Sequence, residues 1–449
     1  IVWRARAPAL APGFALTAEY IQSARFLSRL NSSMSPSPDL QNASDLPAGN
    51  RAGWVIVALT LLMQTVSSGL GFYNMSVYIN RLAVELTVSL ADISFAVSLF
   101  FVVGGVAGLY VADLLRVWSV RKVVIVGALV SGMSVGLVGF ADTLLQVYLL
   151  FSLFGVGNAG ISIVISTTLI TRWFPGPERS MALAIASTGL SLGGFLITPI
   201  SAYSMNALGL DLTMHGLGAF LIVAVVPIAL FLRFPGAATA ASESAEAQQQ
   251  QSQPLAADLA AALRSRFYVL LALAYVLIMA SQVGGIAHLY SRVELLGGLG
   301  MAAMAVQALS IASIGGRFFG GWLVSRIPIR WFALGNLLVQ GLGMALIALA
   351  PNGVVGVIAA AVFGLSVGNL LMTQPLWLAE RFPVDIYPQL FARANAISVL
   401  GVAFGPFCLG WVFDILGSYT FAYIGALMTT LVAFVVVWIA SADSPNTST

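Results

Sequence analysis

Long apolar segments recur along this chain, and they limit the folds open to it more than any other feature. Twelve such stretches, each of about twenty residues or more, are separated by short polar turns. Only 8% of the residues are charged and the mean hydropathy is +0.95, whereas about 25% of an ordinary soluble domain is charged. Segments of this length cross the hydrocarbon core of a bilayer as α-helices. We therefore predict an all-α integral membrane protein with twelve transmembrane helices.

Six predicted spans lie on each side of a polar segment in the middle of the chain. The first six cover residues 53–79, 91–112, 122–141, 143–171, 177–205 and 215–233. The last six cover residues 266–290, 300–324, 330–350, 353–379, 389–415 and 418–440. The expected division is an N-terminal six-helix bundle over residues 51–234, a cytoplasmic linker over residues 235–265 and a C-terminal six-helix bundle over residues 266–441.

The segments outside the bundles are polar. Residues 1–50 are rich in Ser, Pro, Ala and Asn, residues 442–449 form a short polar tail, and the linker contains ASESAEAQQQQSQP. Such compositions cannot bury a core, so we expect disorder at both ends. Before Met34 there are four arginines and one acid. That stretch is either a transit peptide or an extension upstream of a start at Met34.

Basic residues are distributed unequally between the two sets of loops. If the N-terminus is cytoplasmic, the opposite loops carry Arg81 and Arg292 alone. The cytoplasmic loops then carry Arg116, Arg121, Lys122, Arg172, Arg179, Arg233, Arg264, Arg266, Arg326, Arg330, Arg381 and Arg393. Cytoplasmic loops are enriched in Lys and Arg. The asymmetry therefore predicts that both termini are cytoplasmic, and we expect a multi-pass protein of the cell (inner or plasma) membrane.

The two halves carry the same short motifs at an offset of roughly 210 residues. Phe154-Gly155 and Asn158 correspond to Phe363-Gly364 and Asn369; Arg172-Trp173-Phe174-Pro175 corresponds to Arg381-Phe382-Pro383; Gly189, Gly193 and Gly194 before Pro199 correspond to Gly401 and Gly405 before Pro406. Duplicated six-helix units are the plan of many secondary transporters, whose substrate site lies between the repeats near the bilayer midplane.

With these motifs the chain resembles the major facilitator superfamily over about residues 51–441. The superfamily's loop between helices 2 and 3 is matched by Gly108 to Asp113 and the basic residues that follow. A second copy runs from Gly321 to Arg326, with Ser325 in place of the usual Asp. The resemblance implies an inner gate made by charged residues at these loops. The residues concerned are Asp113, Arg121, Arg172, Arg179 and Arg326.

One branch of the superfamily is favoured by the region around the fifth span. The spacing of Trp173-Phe174, Arg179, Ala182, Ala186, Gly189 and Gly193 resembles that of monocarboxylate and oxalate/formate-type carriers. Monocarboxylate carriers have an acidic residue followed by Gly-Gly-x-Gly-Trp at the first span. This chain lacks that motif and has Arg51-Ala52-Gly53-Trp54 at the same place.

Arg317 lies inside the apolar run from Leu309 to Arg326. It is about 12–14 Å from the end of that span at 1.5 Å per residue, and a charge at such depth costs at least ~2.5–3.5 kcal/mol. A guanidinium offers a planar fork that matches a carboxylate. Carriers of the resembled type use an arginine of the eighth helix in this way. The alternative is a conformational latch or a bond to backbone carbonyls.

Polar residues at helical spacing are further candidates for the substrate site. Asn158, Ser162 and Ser166 in the fourth span, and Asn369, Thr373 and Trp377 in the tenth, stand at i, i+4 and i+8, which is one helix face. We expect the central pathway to be lined by these faces together with Gln64 and Tyr73 of the first span. The alternative is hydrogen bonding between helices.

The middle of each predicted span is free of Asp and Glu. Proton-driven carriers often place a titrating acid there. Three mechanisms therefore stay open: the substrate anion carries the proton, one anion is exchanged for another, or His288 titrates.

The combined prediction is a secondary active transporter of a small organic anion, a mono- or dicarboxylate, that works by alternating access. The alternative is an exporter of amphipathic drugs or metabolites. HExxH and GxxxxGK[ST] motifs are missing from the sequence, so we expect neither an enzyme nor an ATP-driven pump. The expected partners are the lipid bilayer, the anion and, if transport is proton-coupled, a proton. We expect no metal, cofactor or nucleic acid, and a monomer is usual in the resembled superfamily.

Overall fold

The computed structural model describes residues 50–174, 178–235, 252–383 and 386–442. This part of the chain forms helices and no strand. The predictions for residues 1–49 and 443–449 fall outside it.

Fourteen helices follow one another in the described chain. Before the linker they are α1 (Asn50–Ser68), α2 (Met75–Glu85), α3 (Leu90–Val117), α4 (Val120–Leu137), α5 (Leu144–Ala159), α6 (Ile163–Trp173), α7 (Arg179–Leu208) and α8 (Leu210–Phe231). After it come α9 (Ser252–Arg264), α10 (Arg266–Val324), α11 (Ile329–Leu349), α12 (Gly353–Arg381), α13 (Tyr387–Leu416) and α14 (Tyr419–Ala442). In the described residues, eleven helical segments are long and apolar enough to cross a membrane. One of these segments includes α1 and the turn after it, and another includes both α5 and α6.

Helix α10 extends over 59 residues, and Gly298 in its middle has non-helical angles (φ 77°, ψ −177°). A straight helix of that length would be about 88 Å long, nearly three times the hydrocarbon core. The contacts show how the length is accommodated. Along α12, Leu370 and Val367 bond to Tyr275 and Gln282 of the first arm of α10, while Gly364 and Gly368 pack on Leu309 and Arg317 of the second arm. The two arms are therefore antiparallel, and the chain reverses at Gly298.

Two other predicted spans are interrupted. Between α1 and α2 the segment Gly69–Tyr73 forms one π turn, in which the amide of Asn74 donates to the carbonyl of Gly69 at 2.9 Å. Gly69 and Gly71 both lie within this turn. The fourth span breaks at Gly160 and restarts after Ser162, whose hydroxyl accepts from the amide of Val164.

The glycine motif of each half sits where its fifth predicted span crosses its first. A Cβ atom on Gly189 or Gly193 would lie 2.4 Å from backbone atoms of α1 and the turn that follows it. In the second half, a Cβ atom on Gly401 or Gly405 would lie 2.0–2.2 Å from backbone oxygens of α10. Real contacts of that length do not occur, so α7 on α1 and α13 on α10 approach backbone to backbone. The repeat seen in the sequence is thus repeated in the packing.

Part of the linker differs from the expectation of a wholly unpacked segment. Helix α9 occupies residues 252–264 of it, and Leu259 and Ala262 bury their side chains against the second half. Leu and Ala recur there at a spacing that presents one apolar face. The segment 236–251 lies outside the described residues.

Two antiparallel helix pairs join the halves. Along α3 and α13, Ala91 pairs with Asp414, Ser98 donates to the carbonyl of Ala403, and Gly105 packs on Val399. Along α7 and α10, Gln307 donates to the carbonyl of Phe195, Ser191 bonds to Ser313 and Arg317 reaches Ser187. We call the side where α8 ends and α9 begins the linker face, and the other side the distal face.

Candidate functional site

A cavity of about 540 Å³ lies between the two halves, on the linker-face side of their contact. It is formed where α3 and α13 separate. A Cβ atom on Gly105 would lie 2.9 Å from Val399, but one on Gly108, a turn further along, would meet nothing within 4 Å. Both glycines line the cavity. The volume falls within the range of small-molecule sites, roughly 300–1,000 Å³.

Arg317 lines this cavity and is its single charged residue among the described parts of the chain. Its Nη1 donates to the carbonyl of Ser187 at 2.7 Å, a bond that crosses from α10 of the second half to α7 of the first. Gly368 of α12 makes room for the side chain, because a Cβ atom there would lie 2.3 Å from Cγ of Arg317. Within the described residues no carboxylate pairs with this guanidinium.

Four of the other predicted site residues line the same cavity: Gln64, Tyr73, Asn158 and Ser162. Tyr73 lies beside Ser191 of the first half and Ser310 of the second. Asn158 accepts from the hydroxyl of Ser67 at 2.8 Å. The amide nitrogen of Gln64 is buried without a hydrogen-bond partner, and such an orphan donor costs about 1–3 kcal/mol unless a ligand or water satisfies it.

Three predicted site residues do not reach the cavity. Asn369 packs on Gly320 and donates to the carbonyl of Leu365, and Thr373 donates to the carbonyl of Asn369. Trp377 is buried edge-on against Phe267, with ring centroids 5.8 Å apart. Their common face is real, but it is directed at α10. Residue spacing shows that the three residues share a face, but it does not determine which neighbouring helix that face contacts.

Sequence reasoning missed the aromatic side of the cavity. Phe72, Phe100 and Phe101 line it. The Phe72 and Phe101 rings are 6.0 Å apart and those of Phe100 and Phe101 are 5.0 Å apart, both edge to face. In an apolar span a phenylalanine looks the same whether it faces lipid or a cavity, so the signal was absent from the sequence.

Comparison with known proteins assigns this architecture. The family model described as Major Facilitator Superfamily matches residues 61–406, which is most of the chain. The chain belongs to this superfamily. It is therefore a multi-pass membrane transporter, and the family and fold are those of a transporter rather than an enzyme.

Relatives of this superfamily member are distant. The chain is 24% identical to monocarboxylate transporter 11 of Mus musculus over 388 residues, 83% of each protein. It is 27% identical to the oxalate:formate antiporter of Oxalobacter formigenes over 191 residues, which is 42% of this chain and 44% of that protein.

Solved structures share the fold. A nucleoside transporter, NupG, has a TM-score of 0.68 at 11% identity, covering 87% of this chain and 99% of that one. A bacterial homologue of the human lysosomal transporter Spinster, in an inward-facing and unoccupied conformation, has a TM-score of 0.65 at 15% identity, covering 88% and 96%.

Three of the arginines assigned to the inner gate make local contacts. Arg121 donates from Nε to the carbonyl of Leu232 at 3.0 Å, Arg172 stacks over Phe234 at 4.2 Å, and Arg326 stacks over Trp322 at 4.0 Å. Asp113 and Arg179, the remaining two, also have interaction partners. The first two arginines thus hold the chain that leaves α8, which gives them a structural role at the linker face.

Polar contacts join the halves at the distal face. The Asp414 carboxylate accepts from the amides of Ala91 at 2.7 Å and Leu90 at 3.3 Å, the first two residues of α3. Glu294 accepts from Asn80 at 2.5 Å and pairs with Arg81 at 3.5 Å. Since each bond links one half to the other, these residues close the distal face.

His288 lies just beneath these contacts and is fully buried. Its Nε2 faces the carbonyl of Pro406 at 2.9 Å and the hydroxyl of Ser94 at 3.3 Å, and its Nδ1 faces the hydroxyl of Tyr419 at 3.4 Å. A ring held in this way belongs to the contact between the halves and does not line the cavity.

Proposed function

We propose that this transporter moves a small organic anion, a mono- or dicarboxylate, by alternating access. The observation that carries the proposal is Arg317, a cation that lines the central cavity without a carboxylate partner in the described chain. A cation in such a place is stabilised when a substrate anion binds it. Either proton symport or anion exchange fits this site.

The bond from Arg317 to Ser187 supports a role in both binding and reorientation. One of the five N–H groups of the guanidinium engages the opposite half, and others can donate to an anion. An anion held there would contact a residue whose position depends on how the halves are arranged. Binding and movement would then be coupled through one side chain.

The names of the relatives point the same way. A monocarboxylate transporter and an oxalate:formate antiporter act on carboxylates. In this proposal Gln64, Tyr73, Asn158 and Ser162 complete the cavity, whereas Asn369, Thr373 and Trp377 pack α12 against α10.

The proposed topology has twelve spans in two bundles, with both termini in the cytoplasm. The reversal at Gly298 supports the count, because each arm of α10 then crosses once. The positive-inside asymmetry of the loops supports the orientation. In that orientation the linker face is cytoplasmic and the cavity lies toward the cytoplasm.

The test is carboxylate binding and transport by Arg317→Gln and Arg317→Lys, with Arg393→Gln, at an exposed arginine that does not line the cavity, as the matched control. A lost charge-assisted bond of about 1.5–3 kcal/mol predicts a roughly 10–100-fold loss for Arg317→Gln. Binding would be followed by thermal shift and transport by uptake into proteoliposomes. Unchanged carboxylate uptake in both Arg317 variants would refute the assignment.

A second function has an observation in its favour. Most of the cavity lining is apolar or aromatic, which suits the export of amphipathic drugs or metabolites. Lipophilic cations should then compete with transport, and Arg317→Gln should transport as well as the wild type.

A further inference from the structure

We infer that the substrate is a monoanion with a large apolar body, such as an aryl or branched-alkyl monocarboxylate, rather than a dianion or a one- or two-carbon acid. This inference rests on the proposed function and narrows its substrate class. It comes from three independent properties of the cavity: its charge, its lining and its size.

The charge of the cavity favours a single negative charge on the substrate. Arg317 is the one charged residue of the described lining, and part of its guanidinium is already bonded to Ser187. A second carboxylate would have to be held by neutral groups in a site of low polarity. An unpaired charge in such surroundings is strongly disfavoured. A dianion therefore binds this cavity less well than a monoanion of similar size.

The lining favours an apolar body. Phe72, Phe100 and Phe101 form an edge-to-face cluster on the first half. Val399 and Leu400 of α13 line the cavity from the second half. A ring or branched chain that projects from the carboxylate would enter between these two walls, and aromatic pairs prefer such edge-to-face contacts.

The size excludes the smallest acids as good ligands. A site of 540 Å³ is in the range that encloses drug-sized molecules. A two-carbon acid could use the guanidinium but would leave most of the apolar wall in contact with water. Each methylene group that the ligand removes from water increases its affinity about fourfold. A ring and a short chain beyond the carboxylate should therefore bring at least a thirtyfold gain.

The experiment compares six ligands on the purified full chain by thermal shift, and the acids by uptake into proteoliposomes. They are 3-phenylpropanoate, acetate, oxalate, succinate, the neutral 3-phenylpropanamide and the cationic 3-phenylpropylamine. We expect 3-phenylpropanoate to bind at least thirtyfold more tightly than acetate and at least tenfold more tightly than succinate. Arg317→Gln should remove the preference for the acid over the amide.

Aromatic contacts are tested with Phe101→Leu and Phe72→Leu. Each should weaken 3-phenylpropanoate about three- to tenfold and weaken acetate much less. Phe220→Leu is the matched control, because Phe220 is exposed on α8 and does not line the cavity. The melting temperature without ligand shows whether each variant folds, and having two variants keeps the test decisive if one does not.

The outcomes separate this inference from the proposed function. If acetate, oxalate or succinate binds best and depends on Arg317, the inference is overturned and the carboxylate proposal stands. If the amide or the amine binds as well as the acids, or if no acid binds at all, both are overturned.

Discussion

Removing the Asp414 carboxylate should open the distal face. In the present arrangement it accepts from the amides of Leu90 and Ala91. These amides have no partner within α3, because the first N–H groups of any helix lack one. Ser89 already caps the next donor, the amide of Asp92. Asp414 therefore supplies the second cap of α3 from the other half of the protein.

The magnitude follows from capping energetics. Loss of a cap costs about 0.5–2 kcal/mol, and a carboxylate at a helix N-terminus adds roughly 0.3–1 kcal/mol. Asp414 is exposed, so water replaces part of both contributions once the halves part. We take a net cost of about 1 kcal/mol for Asp414→Ala, which shifts the closed-to-open ratio about fivefold. Asp414→Asn keeps an acceptor and loses the charge, so about twofold is expected.

The assay is the rate of alkylation of a single thiol at the distal face. Ser291→Cys is suitable because Ser291 is 2% exposed and lines a small cavity between the halves there. The exposed Cys408 is replaced by serine. Asp142→Asn is the matched control, since Asp142 is exposed in the turn before α5, and no hydrogen bond or ion pair in the described residues joins its side chain to the other half. Equal labelling rates in Asp414→Ala, the control and the parent would refute the idea that Asp414 locks this face.

Two glycine substitutions test the packing. Gly368→Ala places a methyl group 2.3 Å from Cγ of Arg317, so we expect carboxylate uptake to fall at least tenfold; Gly335→Ala, where a Cβ atom meets nothing within 4 Å, is the control. A Gly368→Ala variant with normal uptake would show that the guanidinium does not need its present place. Gly193→Ala puts a Cβ atom 2.4 Å from backbone atoms of the α1 segment, and a shift of the helices should cost about 1–3 kcal/mol. The melting temperature should fall accordingly, whereas Gly425→Ala, with open space around it, should leave it unchanged or raise it slightly.

The membrane helices were predictable because burial in lipid requires long apolar runs, and Arg317 was predictable because a charge interrupts one of them. The turn at Gly298 was also visible, since the Leu-Leu-Gly-Gly-Leu-Gly stretch ends one run and begins another. The break at Gly160 was not visible in the sequence, because apolar residues continue through it. There the hydroxyl of Ser162 caps a restarted helix, and local hydrogen bonds of this kind leave little trace in hydropathy.

The candidate site was only half predictable, for a geometric reason. Spacing of i, i+4 and i+8 shows that residues share a face, but the direction of that face depends on neighbouring helices. Asn158 faces the cavity, whereas its repeat counterpart Asn369 faces Gly320 of α10. The sequence contains no signal for the role of Ser187, because Arg317 bonds to its backbone carbonyl and any residue type could supply one.

A lone cation in the cavity has an electrical consequence. With Arg317 as the one charged residue of the described lining, the empty site has a charge of +1 and the site with a bound monoanion has none. Reorientation of the empty protein then moves charge through the membrane field, at up to about 2.3 kcal/mol per 100 mV for a full crossing, while reorientation of the loaded protein does not. We therefore expect one-for-one exchange of monoanions to be electrically silent, and net uptake of the anion without a proton, with an empty return, to produce a current.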